Sequence, residues 1–377
     1  MDASLDEKLQ NVQWGEYKIG DLFDVEKLWV YGKNKNWKNR FKNPKNNTLP
    51  VISGITVNNG VNYYTNDLYD EGDVFADSLT ISTRGEYSGT VTYHKGKFLL
   101  ANNILVMQMP NFTLMQKIFI GSLINKLPYG GYNEYPRKET LKNNTIQLPT
   151  KDGKIDFEFM ESFISELKEE HISELAAYLK VTGLDNYELT SDEKKSIDNF
   201  NNIKWGEYRI GDLFEISSTR SFNTNKLVCG DEYDYVTRTS FNQGVLRKTG
   251  YVNQDNINEK GTWSLGLLQM DFFYRKNPWY AGQFVRKIVP KISLDYNSIP
   301  YFTAILNKQK HKLMSVLVRD VDSTFLNGNI QLPTKDGKID FEYIELFITA
   351  VQKLVIKDVV IYANNKINIT KNVCNSK

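Results

Sequence analysis

The 377 residues leave room for two or three domains of ordinary size, and 41% hydrophobic residues suffice for packed cores, which excludes global disorder. The 22 tyrosines and 20 phenylalanines suit sheet-rich domains, and a net charge of +2 excludes a whole-molecule basic field, so any basic surface must be local. Cys229 and Cys374 give neither a metal-ligand spacing nor a disulfide framework; no apolar run reaches the roughly 18 residues of a membrane span and no signal core opens the chain, so a cytoplasmic protein is expected.

In chain order, residues 1–13 form a short arm containing Leu5-Asp-Glu-Lys-Leu9. Trp14-Gly-Glu-Tyr-Lys-Ile-Gly-Asp-Leu-Phe23 follows, and it returns as Trp205-Gly-Glu-Tyr-Arg-Ile-Gly-Asp-Leu-Phe214 with nine of ten positions identical. Ile146-Gln-Leu-Pro-Thr-Lys-Asp-Gly-Lys-Ile-Asp-Phe-Glu158 returns unchanged as Ile330 to Glu342. The offsets are 191 and 184, so the second copy is 7 residues shorter between its markers. Two copies at so long a period mean duplicated domains, not a solenoid. The interiors diverge. Val51 to Val61 aligns loosely with Tyr235 to Val245, both ending in a turn at Gly60 or Gly244, and Thr92-Tyr-His-Lys95 aligns with Phe273-Tyr-Arg-Lys276.

Between the markers, short apolar runs such as 89–93, 98–101, 104–109 and 286–289 read as strands, whereas 112–126 and 299–318 have helical spacing. Each closing marker carries an Asp-Gly turn, at 152–153 and 336–337, and then an aspartate, Asp156 or Asp340, where a helix N-cap belongs. The helices that follow are amphipathic. Met160, Phe163, Ile164 and Leu167 share the stripe of the first, and Ile344, Phe347, Ile348 and Val351 that of the second, which is expected to give way to a polar tail after about Val360. The stripes are expected to pack on each other, with Phe163, Leu167, Phe347 and Val351 as the interface. The expected fold is α+β: two tandem mixed α/β domains separated by long antiparallel paired helices, pseudo-two-fold symmetric. Its parts are the arm 1–13, a first domain 14–155, a central helix and linker 156–204, a second domain 205–339, and a distal helix and tail 340–377.

Chemistry is sparse. Asn277-Pro-Trp-Tyr280 is similar to the Asn-Pro-Pro-Tyr loop with which adenine methyltransferases hold a flipped base, but the second proline and a Phe-x-Gly-x-Gly loop are missing, so a turn before a strand is the better reading. No phosphate loop, nucleophile elbow or zinc-protease helix occurs, and the three histidines are far apart. For DNA the signals are better. Lys27 to Lys45 holds seven basic residues and no acid, interleaved with Trp29, Tyr31, Trp37 and Phe41 and several asparagines suited to adenine edges. From it Lys33, Lys35, Trp37, Lys38 and Arg40 are candidate contacts. Arg84, Tyr87 and Lys95 are further candidates in the first copy, and Arg238, Arg247, Lys248, Arg275 and Lys276 in the second.

With both markers, the helix after each and two variable interiors, residues 12–360 resemble the DNA-specificity subunits of type I restriction–modification systems and their type IIB relatives. The resemblance implies that each interior is a target-recognition domain reading one half of a split, asymmetric target in double-stranded DNA. It implies that the helices act as ruler and dock for methyltransferase subunits, with restriction subunits as further partners. The chain itself would hold no catalytic residue, metal or cofactor, S-adenosylmethionine being bound by the partner. Competing readings are a stand-alone methyltransferase or nuclease with a degenerate motif, and a protein-interaction scaffold.

Overall fold

The computed structural model describes residues 3–375 apart from 34, 132 and 133, with side chains described between 5 and 368. The chain divides into two compact units, Met1–Ala177 with Lys366–Lys377, and Tyr178–Asn365.

In each unit the opening and closing markers are hydrogen-bonded to each other. Gln13–Lys18 runs antiparallel to Thr145–Lys151, with Trp14 opposite Pro149 and Tyr17 opposite Ile146. Trp205–Arg209 pairs with Asn329–Lys335 in the same register, Trp205 opposite Pro333 and Tyr208 opposite Ile330. The close approach requires glycine at the second position of each opening marker. A Cβ on Gly15 would lie 2.7 Å from the Thr150 methyl, and one on Gly206 would lie 2.3 Å from Thr334 Oγ1. The Asp-Gly turns are as expected: Asp152 and Asp336 both take φ 51°, followed by Gly153 at 74° and Gly337 at 76°. Asp156 and Asp340 then accept the backbone N–H of Phe159 (2.8 Å) and Tyr343 (3.0 Å) as side-chain caps.

Between the markers of the first unit lies a six-stranded sheet in the order Trp29–Tyr31, Ile104–Met107, Val74–Ser82, Val91–Leu100, Leu49–Ile52, Val61–Thr65. The second unit has the same neighbours, but its sheet is split into four strands (214–218, 285–290, 262–266, 272–275) and three (245–249, 233–236, 279–281). The split falls where one strand of the first unit, Val91–Leu100, becomes two, Phe272–Arg275 and Trp279–Ala281. Pro278, which has no N–H to give a ladder, sits in the break. The Asn277-Pro-Trp-Tyr280 segment is therefore a sheet interruption at Asn277 and Pro278 followed by a strand, as expected, whose Trp279 and Tyr280 are fully buried. In the first unit Leu114–Ile124 forms the expected helix, begun by a Thr113–Gln116 capping box. The expected helix over 299–318 is broken instead, into Ile299–Asn307 and Lys310–Met314, and a further short helix, Val321–Leu326, follows. Asn307 ends the first piece by bonding both N–H (3.0 Å) and C=O (2.9 Å) of Phe272.

The long helices are Phe157–Val181, 25 residues or about 37 Å, and Phe341–Asn375, 35 residues or about 52 Å. The second is not followed by the polar tail expected after Val360; the helix runs on, with Val360 and Ala363 buried. Asn-Asn-Lys and Asn-Ile-Thr look like a tail by composition, yet contain no proline or glycine to stop a helix already formed.

Gly244 tests the packing of the second unit. It has φ +81°, and its Cβ would meet Arg275 Nη2 at 3.2 Å. Gly244→Ala is expected to destabilise this unit by roughly 1–3 kcal/mol, from left-handed strain together with overpacking. The lower of two thermal transitions, or an earlier urea midpoint, would report it; an unchanged melt would show that the turn is not held as described.

Candidate nucleic-acid interface

The most constrained exposed feature of each unit is a tight turn. Asn58, Asn59 and Gly60 have φ of 50°, 51° and 77°, and Asn242, Gln243 and Gly244 have 46°, 52° and 81°. Three successive left-handed residues are costly and need support. Part of it is local: Asn58 and Asn242 donate from Nδ2 to the carbonyls of Val61 and Val245, each at 3.2 Å. Asn59 also donates from Nδ2 to the Tyr93 carbonyl at 3.1 Å, the N–H groups of Ser53 and Thr237 bond the carbonyls of Gly60 and Gly244, and a buried polar side chain lies beneath each turn, at the position where the two copies align. In the first unit this is His94, 4% exposed, bonded to Thr80 Oγ1 at 2.9 Å and 3.6 Å below the Cβ position of Gly60. In the second it is Arg275, also 4% exposed, which donates to Ser264 Oγ (2.9 and 2.6 Å) and to the Gln243 carbonyl. Burial depresses the His94 pKa to about 4 and that of Arg275 to about 10, so near neutrality the histidine is uncharged and the arginine is a buried cation. Arg275 is thus a correction to the expected surface contacts. Its guanidinium is spent on holding a turn, and a buried fork cannot reach a phosphate.

The basic stretch 27–45 is also less free than its sequence suggests. Acids from 67–73 fold onto it. Lys33 (2.9 Å) and Lys35 pair with Asp73, and Lys35 also reaches Asp70 at 3.2 Å. These lysines, Lys35 foremost, hold the Asp73 carboxyl below the usual carboxylate range. Asp67 accepts the backbone N–H groups of Lys38 and Asn39. Trp37 is 5% exposed and packs with Val51 and Leu99, so it is core, not a stacking platform. Arg40 lies 4.9 Å over the Tyr63 ring and bonds the Trp37 carbonyl. Lys38, Lys42 and Lys45 remain on the exposed surface, Lys45 over Phe41. Asn34 lies outside the described residues.

Of the other candidates, Arg84 and Tyr87 are exposed on the loop after Val74–Ser82, Lys95 is exposed within Val91–Leu100, and Arg238 and Arg247 are exposed in the second unit. Lys248 is paired with Asp234 at 3.1 Å, and Lys276 lies 5.1 Å over Tyr296. Residue types alone did not single out the cleft around Arg238, lined by Asn223, Thr237, Leu246, Leu268, Gln269 and Gln283. Its signal was the apolar residues Leu246 and Leu268 in segments otherwise rich in turns. The residues expected at a helix interface have partners within their own units. Phe163 packs on Phe119 and Phe159 within the first unit's core, with Leu167 against the same core. Phe347 stacks on Phe200 and Tyr343 within the second unit, and Val351 is half-buried. Their first obligation is to dock each helix onto its own domain. Among the described residues, no group of three His, Cys, Asp or Glu side chains could hold a metal, and no helix is long and apolar enough to cross a membrane.

The family model described as the type I restriction modification DNA specificity domain matches the chain twice, over residues 11–177 and 202–360. The chain belongs to this family. The two matches coincide with the two clasped domains and the helix after each, so this specificity-family chain is a tandem pair of domains of mixed helix and sheet. By sequence, no curated protein matches it. Among solved structures, the S subunit of a type I restriction–modification system from M. genitalium shares the fold at 13% identity and TM-score 0.55, covering 97% of this chain and 95% of that one. The HsdS subunit from Thermoanaerobacter tengcongensis aligns at 12% identity and TM-score 0.30, covering 94% and 91%. A chain from a structure on complex assembly and conformational transition of the type I R-M system aligns at 12% and 0.35, covering 96% of each.

Two predictions separate structural from surface charge in this specificity chain. Lys35→Ala should lower the melting temperature of the first unit, whereas Lys38→Ala with Lys42→Ala should leave it unchanged and flatten the salt dependence of DNA binding by about 0.9 for each phosphate no longer neutralised. An unmoved slope would take these two lysines off the phosphates. His94 sets a pH window. Its folded pKa, about 4, lies below the ordinary 6.5, so the unfolded chain binds the proton first as pH falls. The first unit should lose stability between about pH 6.5 and 4, by up to about 3 kcal/mol. His94→Gln should remove that slope; if urea midpoints of wild type and variant run parallel through this window, His94 does not titrate in this way.

Proposed function

We propose that this chain is the DNA-reading subunit of a restriction–modification complex. Each unit reads one half of a split, asymmetric target in double-stranded DNA. The chain does no chemistry itself and docks methyltransferase subunits, which methylate adenine with S-adenosylmethionine, with restriction subunits as further partners; the complex works in the cytoplasm. One observation carries the reading: two domains of one family share a nearly identical clasp and the same strand neighbours but present different loops and different charges between the markers. One frame with two rims fits a protein that must recognise two unlike sequences. The long helices, each beginning directly after a clasp, act as the rigid spacer. Leu354, Val355 and Val359 of the second helix are 48%, 74% and 38% exposed and offer partners a continuous apolar surface.

Exchanging residues 24–144 for the interior of another family member tests this. The expected result is a methylated motif altered in one half only, read by methylation sequencing of a host carrying the chimera and its partners. A motif changed in both halves, or several folded chimeras without activity, would defeat the modular reading. S-adenosylmethionine binding by the isolated chain would favour a methyltransferase instead.

A further inference from the structure

At one place in each unit two strand ends approach so closely that only one can bear a side chain, and the two units resolve this in opposite ways. In the first unit the glycine is Gly54, whose Cβ would lie 2.6 Å from Ser82 Oγ. In the second it is Gly266, whose Cβ would lie 2.9 Å from Arg238 Cα. These are equivalent positions. The N–H of Ser53 bonds the Gly60 carbonyl (2.9 Å) as that of Thr237 bonds Gly244 (2.8 Å), which aligns Gly54 with Arg238. The N–H of Thr83 bonds the Asn103 carbonyl (2.8 Å) as that of Leu267 bonds Phe284 (2.9 Å), which aligns Ser82 with Gly266. Asn103 and Phe284 both take positive φ, 64° and 60°. The glycine has changed walls, and the arginine with it. In the second unit Arg238 rises from the wall that is bare in the first. In the first unit Arg84 stands two residues beyond Ser82 on the opposite wall, its carbonyl 3.8 Å from where a Gly54 Cβ would be.

Both guanidinium groups are exposed, and neither has a hydrogen bond or ion pair among the described residues. Arg238 lies 5.2 Å over the ring of Phe284. Phe284 beneath it and Leu268 in the same cleft are 51% and 58% exposed. The acids nearest in sequence on the two walls, Asp234 and Asp271, are occupied by Lys248 at 3.1 Å and Lys310 at 2.5 Å. A cation over an aromatic ring, in a cleft that also presents Leu246, Leu268 and the neutral amides of Asn223, Gln269 and Gln283, suits a base edge better than a phosphate, because apolar groups pack on bases and amides read their edges, whereas no second cation is present among the described lining residues to share a phosphate. A planar fork matches the O6 and N7 acceptors of guanine.

We propose that Arg84 and Arg238 are specificity-determining residues of the two half-sites, each reading a guanine edge and delivered from opposite walls of equivalent strand-end junctions. This rests on the DNA-reading function proposed above.

Selection from a randomised duplex pool by the full chain, alone and with its methyltransferase partner, tests it. Arg238→Ala should relax one base position in one half-site, with discrimination falling about 5- to 100-fold, and Arg84→Ala should do so in the other half. Arg238→Lys and Arg84→Lys keep the charge but lose the fork and should remain relaxed. Full discrimination by the lysine variants would reassign both residues to phosphates and overturn the proposal, as would an unchanged motif in the alanine variants. A wild-type protein that enriches no motif would overturn the DNA-reading function as well. Circular dichroism melts confirm folding, which these exposed positions should not disturb.

Discussion

Everything else in each unit depends on the antiparallel pairing of its first strand with its last. That pairing joins residues far apart in the chain, Trp14 with Pro149 and Trp205 with Pro333. It closes the interior into a loop whose two ends lie side by side. The same pairing sets the helix, since the N–H groups of Asp156 and Asp340 bond the carbonyls of Pro149 (2.8 Å) and Pro333 (2.9 Å), so each long helix starts from the clasp. Interior residues can vary in number and kind while both the frame and the start of the spacer stay fixed. This explains why the markers are nearly invariant between copies although neither contains a chemical group of interest. Gly15 and Gly206 are kept by contact with Thr150 and Thr334, and the markers are kept together because they are two halves of one interaction.

Within the frame, each exposed turn lies over a buried polar group at an equivalent position, a neutral imidazole close beneath it in one unit and a charged guanidinium bonded to it in the other. The two solutions differ in their electrostatics. His94 avoids the cost of a buried charge by giving up its proton, and Arg275, which cannot do so near neutrality, is compensated by a hydroxyl and a carbonyl. Either way the turn is set rigidly before any ligand arrives, which lowers the ordering cost of binding.

The duplication, the Asp-Gly turns, the helix caps and the helix stripes were legible in the sequence because each is encoded locally, by repeated residues or short spacing. Long-range relations were not. Residues 27–45 contain no acid, yet Asp67, Asp70 and Asp73 fold back upon them, and no local pattern reports a charge so distant in the chain. Arg275 reads as a surface base beside Lys276 because alternation along a broken strand does not reveal which of two adjacent cations faces the core. Phe163 and Phe347 read as an inter-helix seam, since a stripe shows that a helix is covered but not by what. The polarity after Val360 hides the true end of the second long helix, because helix continuation depends on the absence of breakers more than on hydrophobicity.

The identity of the two clasps carries a hazard for the nascent chain. Ile146 to Lys151 and Ile330 to Lys335 are the same six residues, so the strand at Trp14 would find in either an equally good hydrogen-bonding partner. Pairing energy cannot tell the correct closure from a crossed one that encloses the whole molecule in a single ring. Loop-closure entropy discriminates only weakly, because it grows with the logarithm of loop length. The order of synthesis removes the ambiguity. The first closing strand leaves the ribosome before the second opening strand exists, and the first unit can shut while its competitor is unmade. Refolding from denaturant, where all four strands are present at once, lacks that protection, and crossed pairing is the kinetic trap that this architecture sets for itself.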